Sequence, residues 1–355
     1  TLVEPATMGA MNTLLLLALM IQVIEEPRAI HSVQAGDVNG DGWMDLVTQN
    51  AAGYAVYLNR KALRFELAHR IEKIGVGEPG GYALTDVNAD GRLDLVSGSH
   101  DSYRIAVLLG NGKGDFSPVE GSPFVPRKNG KPHNHRIAVA DINGDGHRDI
   151  LAANIGDGDI EILVGDGKGG FARGANSPFI IGLGAYAIEV RDVNLDRIPD
   201  LIVASTHDSG PEMLVALGEG GGRFKKVEQP DSKRKFRIGN LQLTDWDRDG
   251  KLDAIVGPGE NDRPNVLLGD GKGQFQRAAN ALPGGARTWQ FAVIEEGIVA
   301  AANDSIQLIS RSNVRTIPVP KSTWYLAIAD FDNDGKLDIA SVATEAGTIQ
   351  ISKMP

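Results

Sequence analysis

The chain has no cysteine among its 355 residues. This absence excludes thiol catalysis and a disulfide framework, although it leaves export from the cell open. Aromatic residues make up only 6% of the chain, and no helical periodicity extends beyond the first twenty residues. Together with 44 glycines, this composition favours many short strands joined by turns. No basic stripe is present, so nucleic acid is not an expected partner.

The chain contains instead a nine-residue motif rich in acidic side chains. It places oxygen-bearing side chains at positions 1, 3, 5 and 9, usually with glycine at position 6, and its six copies occupy residues 37–45, 86–94, 141–149, 192–200, 245–253 and 330–338. Alternate side chains of a tight loop point inward, so these oxygens converge on one point. Calcium prefers six to eight oxygen ligands, and glycine permits the sharp turn. With no cysteine and no histidine at ligand spacing, the motif favours calcium over zinc or a redox metal.

Each copy therefore predicts one calcium loop, giving up to six ions with a mainly structural role. Position 7 contributes its backbone carbonyl. The predicted ligands are Asp37, Asn39, Asp41, Trp43, Asp45, Asp86, Asn88, Asp90, Arg92, Asp94, Asp141, Asn143, Asp145, His147, Asp149, Asp192, Asn194, Asp196, Ile198, Asp200, Asp245, Asp247, Asp249, Lys251, Asp253, Asp330, Asp332, Asp334, Lys336 and Asp338.

The fourth copy has Arg197 where the others have glycine, so we expect it to be the weakest site. The six loops hold 20 of the 46 acidic residues, and the formal net charge is −10. Six bound calcium ions would bring that charge to about +2. The acidity of the chain is therefore mostly attributable to metal ligands.

The spacing of the loops predicts a radial repeat. The first aspartates are separated by 49, 55, 51, 53 and 85 residues. Within the longest interval, residues 289–303 have the pattern strand, turn, strand, with the loop shortened to Glu295-Glu296-Gly297. This gives seven units of similar length. Each unit has the pattern of four short antiparallel strands, which is one propeller blade. Glycine-rich turns such as residues 110–116 lead into a strand and not a helix, so they do not indicate phosphate binding.

The pattern from residue 20 to 355 resembles the FG-GAP/VCBS repeat family, whose members include the head of integrin α subunits. The resemblance rests on the six aspartate loops, the glycine-rich turn that ends in phenylalanine, and the spacing. It implies an all-β, seven-bladed β-propeller with four-stranded antiparallel blades. We therefore expect residues 20–355 to form a single propeller domain, and the resemblance is typical of secreted binding proteins.

The first nineteen residues are open to two interpretations. The apolar run at 14–20 is either part of a tag or signal-like segment, or part of a closing segment of the propeller. It is too short to span a membrane and is followed by Glu25 and Glu26. The last unit ends at residues 348–353 with only its third strand, so we predict that residues 20–24 pair with it as the fourth.

Open calcium loops bind weakly, which favours an extracellular or periplasmic location.

The face opposite the calcium loops carries the candidate ligand site. Six residues before each loop, or before Glu295 in the shortened one, the chain has His31, Gly80, His135, Tyr186, Gly239, Trp289 and Trp324. Arg136 and Tyr325 follow one position later. The tentative ligand-binding residues are therefore His31, His135, Arg136, Tyr186, Trp289, Trp324 and Tyr325. They would stack on sugars or bind a carboxylate. The alternative is that large side chains simply plug the channel.

Catalysis has weaker support in the sequence. His-Asp-Ser occurs at 100–102 and 207–209, but triad members normally converge from separate segments, and no nucleophile elbow is present. No catalytic residue is predicted. The basic insertion at 125–135 is interpreted as a mobile lid or a solvated loop.

Three functions remain in consideration. The first is a secreted, monomeric calcium-binding propeller that recognises a glycan or a protein. The second is a polysaccharide lyase or hydrolase that uses His135, Arg136 and Tyr186, and the third is a scaffold with no small ligand.

Overall fold

The computed structural model describes residues 20–206, 212–230, 239–257, 263–279, 282–283, 288 and 290–354. All 27 regular elements in these ranges are β-strands. No helix in the described part of the chain is long and apolar enough to cross a membrane. The all-β class predicted from the sequence is therefore confirmed.

Five blades are antiparallel sheets whose strands follow one another along the chain. The first and second consist of β2 (Ser32–Gly36), β3 (Asp45–Asn50), β4 (Gly53–Asn59) and β5 (Phe65–Glu72), then β6 (Pro79–Thr85), β7 (Asp94–Ser99), β8 (Ala106–Gly110) and β9 (Phe116–Pro118). The third consists of β10 (Asn134–Ala140), β11 (Asp149–Asn154), β12 (Asp159–Gly165), β13 (Phe171–Arg173) and the short β14 (Phe179–Ile180), which also pairs with β12. The fourth and fifth consist of β15 (Ala185–Arg191), β16 (Asp200–Ser205), β17 (Met213–Gly220) and β18 (Arg223–Val227), then β19 (Asn240–Thr244), β20 (Asp253–Gly257), β21 (Asn265–Gly269) and β22 (Phe275–Arg277).

The sixth blade is larger. It contains β23 (Phe291–Ile294), β24 (Gly297–Ile309), β25 (Val314–Ala329), β26 (Asp338–Ala343), β27 (Thr348–Lys353) and β1 (Met20–Glu25). The described strands thus form six blades, and the prediction of seven separate blades is wrong. The reason lies in β25, which pairs with β24 through its first half and with β26 through its second half. Hydrogen bonds therefore join the sixth and seventh predicted units into one sheet.

The hydrophobic core lies between successive blades. Val47 and Tyr54 of the first blade pack with Leu95 and Ala106 of the second, and similar clusters follow around the molecule. Another cluster, which includes Val299 and Leu326, packs the two predicted units of the sixth blade together. A further cluster joins the sixth blade to the first, with Ile349 and Ile351 against Leu46 and Tyr57. The blades therefore form a closed ring.

The strand β1 completes the ring as the sequence predicted. It pairs antiparallel with β27, with Ile24 opposite Ile349 and Glu25 opposite Thr348. The Gln22 side chain also reaches the first blade, where its amide accepts from the Phe65 N–H at 2.7 Å and donates to the Phe65 carbonyl at 3.0 Å. The earlier part of the apolar run, up to residue 19, lies outside the described residues.

Glutamine amides connect other neighbouring blades in the same way. Gln34 donates to the Tyr82 carbonyl at 2.8 Å and accepts from the Leu84 N–H at 3.3 Å. Gln242 accepts from the Val293 N–H at 2.6 Å in the next blade. Each amide satisfies backbone groups that a neighbouring strand would otherwise pair, so the first strands of adjacent blades are held in fixed register.

Glu26 fixes the chain immediately after β1. Its carboxylate is buried, accepts hydrogen bonds from Arg70 at 2.9 and 3.0 Å, and accepts a further one from the Tyr57 hydroxyl. Its backbone N–H donates to the Gly347 carbonyl at 2.7 Å. Burial favours the protonated form, but the hydrogen bonds from Arg70 and Tyr57 and the Arg70 charge outweigh it, so the pKa of Glu26 is lowered.

Replacing this carboxylate is expected to destabilise the ring. Glu26→Gln leaves the Arg70 guanidinium without its partner, which costs about 3 kcal/mol and lowers Tm by about 6 °C at roughly 2 °C per kcal/mol. Because the folded pKa is below the unfolded one, the stabilisation is full above the unfolded pKa and is lost as pH falls through the folded pKa. Calorimetry should therefore show the difference in Tm from wild type shrinking in acid. Glu66→Gln, which breaks only an exposed pair with Arg60, is the matched control and should change Tm little. Equal effects of the two substitutions near neutral pH would contradict this account.

Candidate functional site

The six aspartate loops share one internal hydrogen-bond pattern. In the first loop, the Asp37 carboxylate accepts from the Gly42 N–H at 2.8 Å, and the Asp41 carboxylate accepts from the Trp43 N–H at 2.9 Å. The fourth loop keeps this pattern, since the Arg197 N–H donates to Asp192 at 2.7 Å. Arg197 takes a left-handed backbone with φ of 70°, as the sequence predicted. In the first loop the Asp41 N–H also donates to the side chains of Asp37 and Asn39, so the oxygens of positions 1 and 3 turn toward the same backbone group.

The carboxylate at position 9 ties the loop to the rest of its blade. Asp45 is fully buried, and its two oxygens accept from the Val38 N–H at 3.1 Å and the Asn59 N–H at 2.8 Å. Burial, reinforced by Asp41 and Asp37, raises the pKa of Asp45 to about 6 despite these hydrogen bonds. In each of the other five repeat units, the aspartate at position 9 is also the first residue of the second strand. The predicted change from loop to strand at position 9 is therefore confirmed.

The donor atoms in the loops fit a calcium ion. In the fifth and last loops, three carboxylates present oxygens within 4.8 Å of one another: Asp245, Asp247 and Asp253, and Asp330, Asp332 and Asp338. A dense set of oxygens with no nitrogen or sulfur donor suits a hard cation. In the last loop the Lys353 ammonium lies 2.5 Å from Asp332 and 2.6 Å from Asp334, so a protein cation already offsets part of that charge.

The opposite face holds the candidate ligand residues. The first strand of each repeat unit runs toward its aspartate loop, so the beginning of that strand lies on the other face. There the structure brings His135 and Tyr186 together, with rings stacked 4.5 Å apart and inclined by 20°. The Arg136 guanidinium lies beside them and donates to the His135 carbonyl at 3.1 Å. All three side chains are half-buried and therefore retain exposed surface.

The remaining predicted ligand residues lie in other blades. His31 is half-buried just before β2, where its backbone N–H donates to the Gln49 carbonyl at 2.8 Å. Trp324 and Tyr325 are half-buried in the sixth blade, and Tyr325 packs against the core between that blade and the first. Trp289 lies outside the described residues.

Two further histidines join His135, and the sequence analysis did not predict them as site residues. The ring centroids of His100 and His133 are 4.1 Å apart, and those rings lie 4.9 and 4.5 Å from the His135 ring. The Nε2 atoms of His133 and His135 are separated by 2.9 Å. The conclusion that no histidines have ligand spacing is therefore wrong. The available signal was His133-Asn134-His135, because residues i and i+2 of a strand point to the same face.

Electrostatics keep two of the three histidines, His133 and His135, uncharged. Burial, followed by the proximity of His133, His100 and Arg136, lowers the pKa of His135 to about 3. Burial and then His100 also lower the pKa of His133. At neutral pH both rings are therefore neutral imidazoles, each with a nitrogen lone pair able to accept a proton or a metal.

The insertion at 125–135 is not a solvated loop along its whole length, because Arg127 anchors it to the protein. Arg127 lies 3.1 Å from Asp157, 2.8 Å from Asp159 and 2.9 Å from Glu161, and its guanidinium stands 4.0 Å from the Tyr103 ring centroid. Asp159 and Glu161 are buried. This network fixes the insertion to the third blade.

The repeated His-Asp-Ser sequence does not form a triad at its first occurrence. The side chains of Asp101 and Ser102 both bond to the Ser99 hydroxyl, at 2.8 Å each. The second occurrence, at 207–209, lies outside the described residues.

Two open grooves on the aspartate-loop face were not predicted. They measure about 690 and 670 Å³ and flank the shortened hairpin at Glu295 and Glu296. The groove of about 670 Å³ is lined by Trp246, and the Arg311 guanidinium lies 5.4 Å from the centroid of the Trp246 ring. The groove of about 690 Å³ has the cationic side chain of Lys336 in its lining. The sequence signal was the loss of the aspartate loop, because a shorter hairpin leaves space between its neighbours.

The strand order, the aspartate loops and their spacing define a β-propeller built from loop-bearing repeats. The FG-GAP-like repeat matches residues 86–152, 141–203 and 192–256, and the FG-GAP repeat matches residues 29–58. The chain belongs to the FG-GAP repeat family. Comparison with curated protein sequences gives no match.

Several solved structures share the fold. A lectin from Agrocybe aegerita, described as recognising non-reducing terminal N-acetylglucosamine, is 20% identical with a TM-score of 0.59 over 82% of this chain and 81% of its own. BBS1N, solved in complex with ARL6DN, is 15% identical with a TM-score of 0.60 over 95% and 97% of the two chains. The periplasmic gluconolactonase PpgL of Pseudomonas aeruginosa is 15% identical with a TM-score of 0.57 over 82% and 85%. At these identities the likeness concerns the fold alone.

Proposed function

We propose that the chain is a recognition module that binds a glycan on the face opposite the aspartate loops. The observation that carries this proposal is the stacked pair of His135 and Tyr186 beside Arg136. Aromatic faces offer an apolar plane to the CH face of a sugar, and a guanidinium donates charge-assisted hydrogen bonds to carboxylates and hydroxyls. The fold shared with a lectin specific for N-acetylglucosamine supports the proposal by analogy.

The aspartate loops would hold up to six calcium ions in a structural role. Positions 1, 3, 5 and 9 would supply side-chain oxygens and position 7 a carbonyl, while the backbone hydrogen bonds described above keep the loop shape. Loops of this open kind match calcium concentrations outside the cytosol, so we place the protein in an extracellular or periplasmic compartment.

A protein ligand is the second candidate. The two grooves beside Glu295 and Glu296 support it, because they combine charged side chains with the Trp246 ring on an open surface. Aromatic and arginine side chains are enriched where proteins bind one another. BBS1N, which shares the fold, was solved with a bound protein.

Glycan binding is tested with the full chain in calcium on a glycan array, followed by calorimetric titration of the best ligand. Tyr186→Ala should weaken that affinity about tenfold, because a lost stacking contact costs about 1.5 kcal/mol. Trp43→Ala is the matched control, since it removes an aromatic ring on the aspartate-loop face and should leave the affinity unchanged. An array with no bound glycan would rule out the proposal, as would equal losses in the two variants.

A further inference from the structure

The three-histidine cluster has a geometry that recognition of a glycan does not require. We propose that His100, His133 and His135 form a binding site for a divalent transition metal ion, with Zn²⁺ as its reference ion. The site is separate from the aspartate loops in position and in donor type. It goes beyond glycan recognition and does not depend on it.

The distances suit a metal bound by three imidazoles. Each histidine offers a ring nitrogen within 4.8 Å of the other two, and the Nε2 atoms of His133 and His135 are 2.9 Å apart. Zinc–nitrogen bonds of about 2.0–2.1 Å in tetrahedral geometry require nitrogens about 3.3 Å apart. The observed 2.9 Å between the Nε2 atoms of His133 and His135 is about 0.4 Å below that separation.

The backbone around the cluster is held on both sides. The His100 N–H donates to the Glu78 carbonyl at 2.9 Å, and the His133 carbonyl accepts from the Ile155 N–H at 3.1 Å. Between His133 and His135, the buried Asn134 side chain donates to the Ala153 carbonyl at 3.0 Å. Ligands carried by such fixed segments need little reorganisation when an ion binds.

Two more contacts hold the imidazole groups in place. Tyr186 stacks on the His135 ring and limits its rotation. The Arg127 network fixes the insertion that carries His133, so two blades and one insertion contribute to a single site. The cluster therefore lies where the second and third blades meet, and each of its three side chains offers a ring nitrogen.

The chemistry of the donors separates this site from calcium. Imidazole nitrogen suits zinc, copper, nickel and cobalt, whereas calcium prefers oxygen. Three protein ligands leave one position for water or for a group of a bound ligand. Among nearby charges, Glu78 favours a cation at the cluster, and Arg136 opposes it. The neutral imidazole, with a free lone pair on one ring nitrogen, is the form of histidine that binds metals.

The test uses the full chain, stripped with chelator and then returned to excess Ca²⁺ to occupy the aspartate loops. Titration calorimetry with Zn²⁺ should show one tight equivalent. His100→Gln, His133→Gln and His135→Gln should each weaken it by more than the roughly 10- to 100-fold loss typical of an outer ligand partner. His69→Gln, which removes a half-buried histidine of the first blade, is the matched control and should bind as wild type does.

A second measurement needs no variant. In the wild-type protein, Zn²⁺ should shift the imidazole NMR resonances of three of the seven histidines and leave those of the other four in place. Co²⁺ should give the visible absorption of a four-coordinate ion. The proposal fails if Zn²⁺ does not bind in excess Ca²⁺, or if His133→Gln binds it as tightly as wild type. It also fails if the shifted resonances do not include those of the three cluster histidines.

Discussion

Removal of calcium with EDTA is expected to lower Tm by about 24 °C relative to the protein in about 10 mM CaCl₂. Each loop brings three or four carboxylates together, and a bound cation relieves their repulsion. With dissociation constants of about 10⁻⁴ to 10⁻³ M, six sites would contribute about 2 kcal/mol each. At roughly 2 °C per kcal/mol, this is the largest effect we expect for the molecule.

A pair of isosteric variants makes this experiment specific to the loops. Asp90→Asn removes one charge at position 5 while keeping an oxygen for the Arg92 N–H, and should reduce the gain in Tm from calcium by about 3 °C at roughly 2 °C per kcal/mol. Asp270→Asn makes the same change in a glycine-rich turn, where the carboxylate accepts from Lys272 at 2.7 Å, and should keep the full gain. Magnesium should not replace calcium, because it requires a stricter octahedral shell. The same Tm in EDTA and in calcium would refute the loops as calcium sites.

Deletion of the closing strand is expected to have the second-largest effect. Without residues 1–25 the chain loses the pairing of β1 with β27, the two Gln22 hydrogen bonds to Phe65, and the packing of Ile24 on the core. Together these account for about 5 kcal/mol. Calorimetry should record a fall in Tm of about 10 °C at roughly 2 °C per kcal/mol.

A shorter deletion provides the control for this experiment. Removing only residues 1–19 keeps β1 intact and should leave Tm unchanged. If the two deletions melt together, β1 does not hold the ring closed. If the shorter deletion is itself destabilising, residues before β1 contribute to the fold.

The parts of the fold that could be predicted are those set by the position of each residue within its repeat unit. The aspartate at position 9 begins a strand because it is buried and accepts hydrogen bonds from backbone N–H groups, as Asp45 does. The pairing of residues 20–24 with 348–353 followed from counting strands in the last unit. Position 4 was not recognised as a left-handed residue, although Ala89 and Leu195 adopt φ of 59° and 65° there. The available signals were glycine at that position in two loops and asparagine, which tolerates a left-handed backbone, in the last.

Two other contacts between separate segments could not be predicted in this way. The pairing of Asn303 with Thr323, which helps join the sixth and seventh predicted units into one blade, depends on strands meeting in space. His100 lies in the second blade and His133 in the insertion that Arg127 fixes to the third blade, so their contact depends on how the two blades pack. Composition and spacing carry no information about either contact, because both are set by tertiary packing.

The pairing of β1 with β27 has a consequence for synthesis on the ribosome. Since β1 finds its partner only in β27, the intervening blades must assemble while one edge is still open. An unpaired strand edge is a template for association with other chains, and contacts this distant in sequence form slowly. Nascent chains stalled before residue 348 should therefore depend most on chaperones, and synthesis of β27 seals the ring.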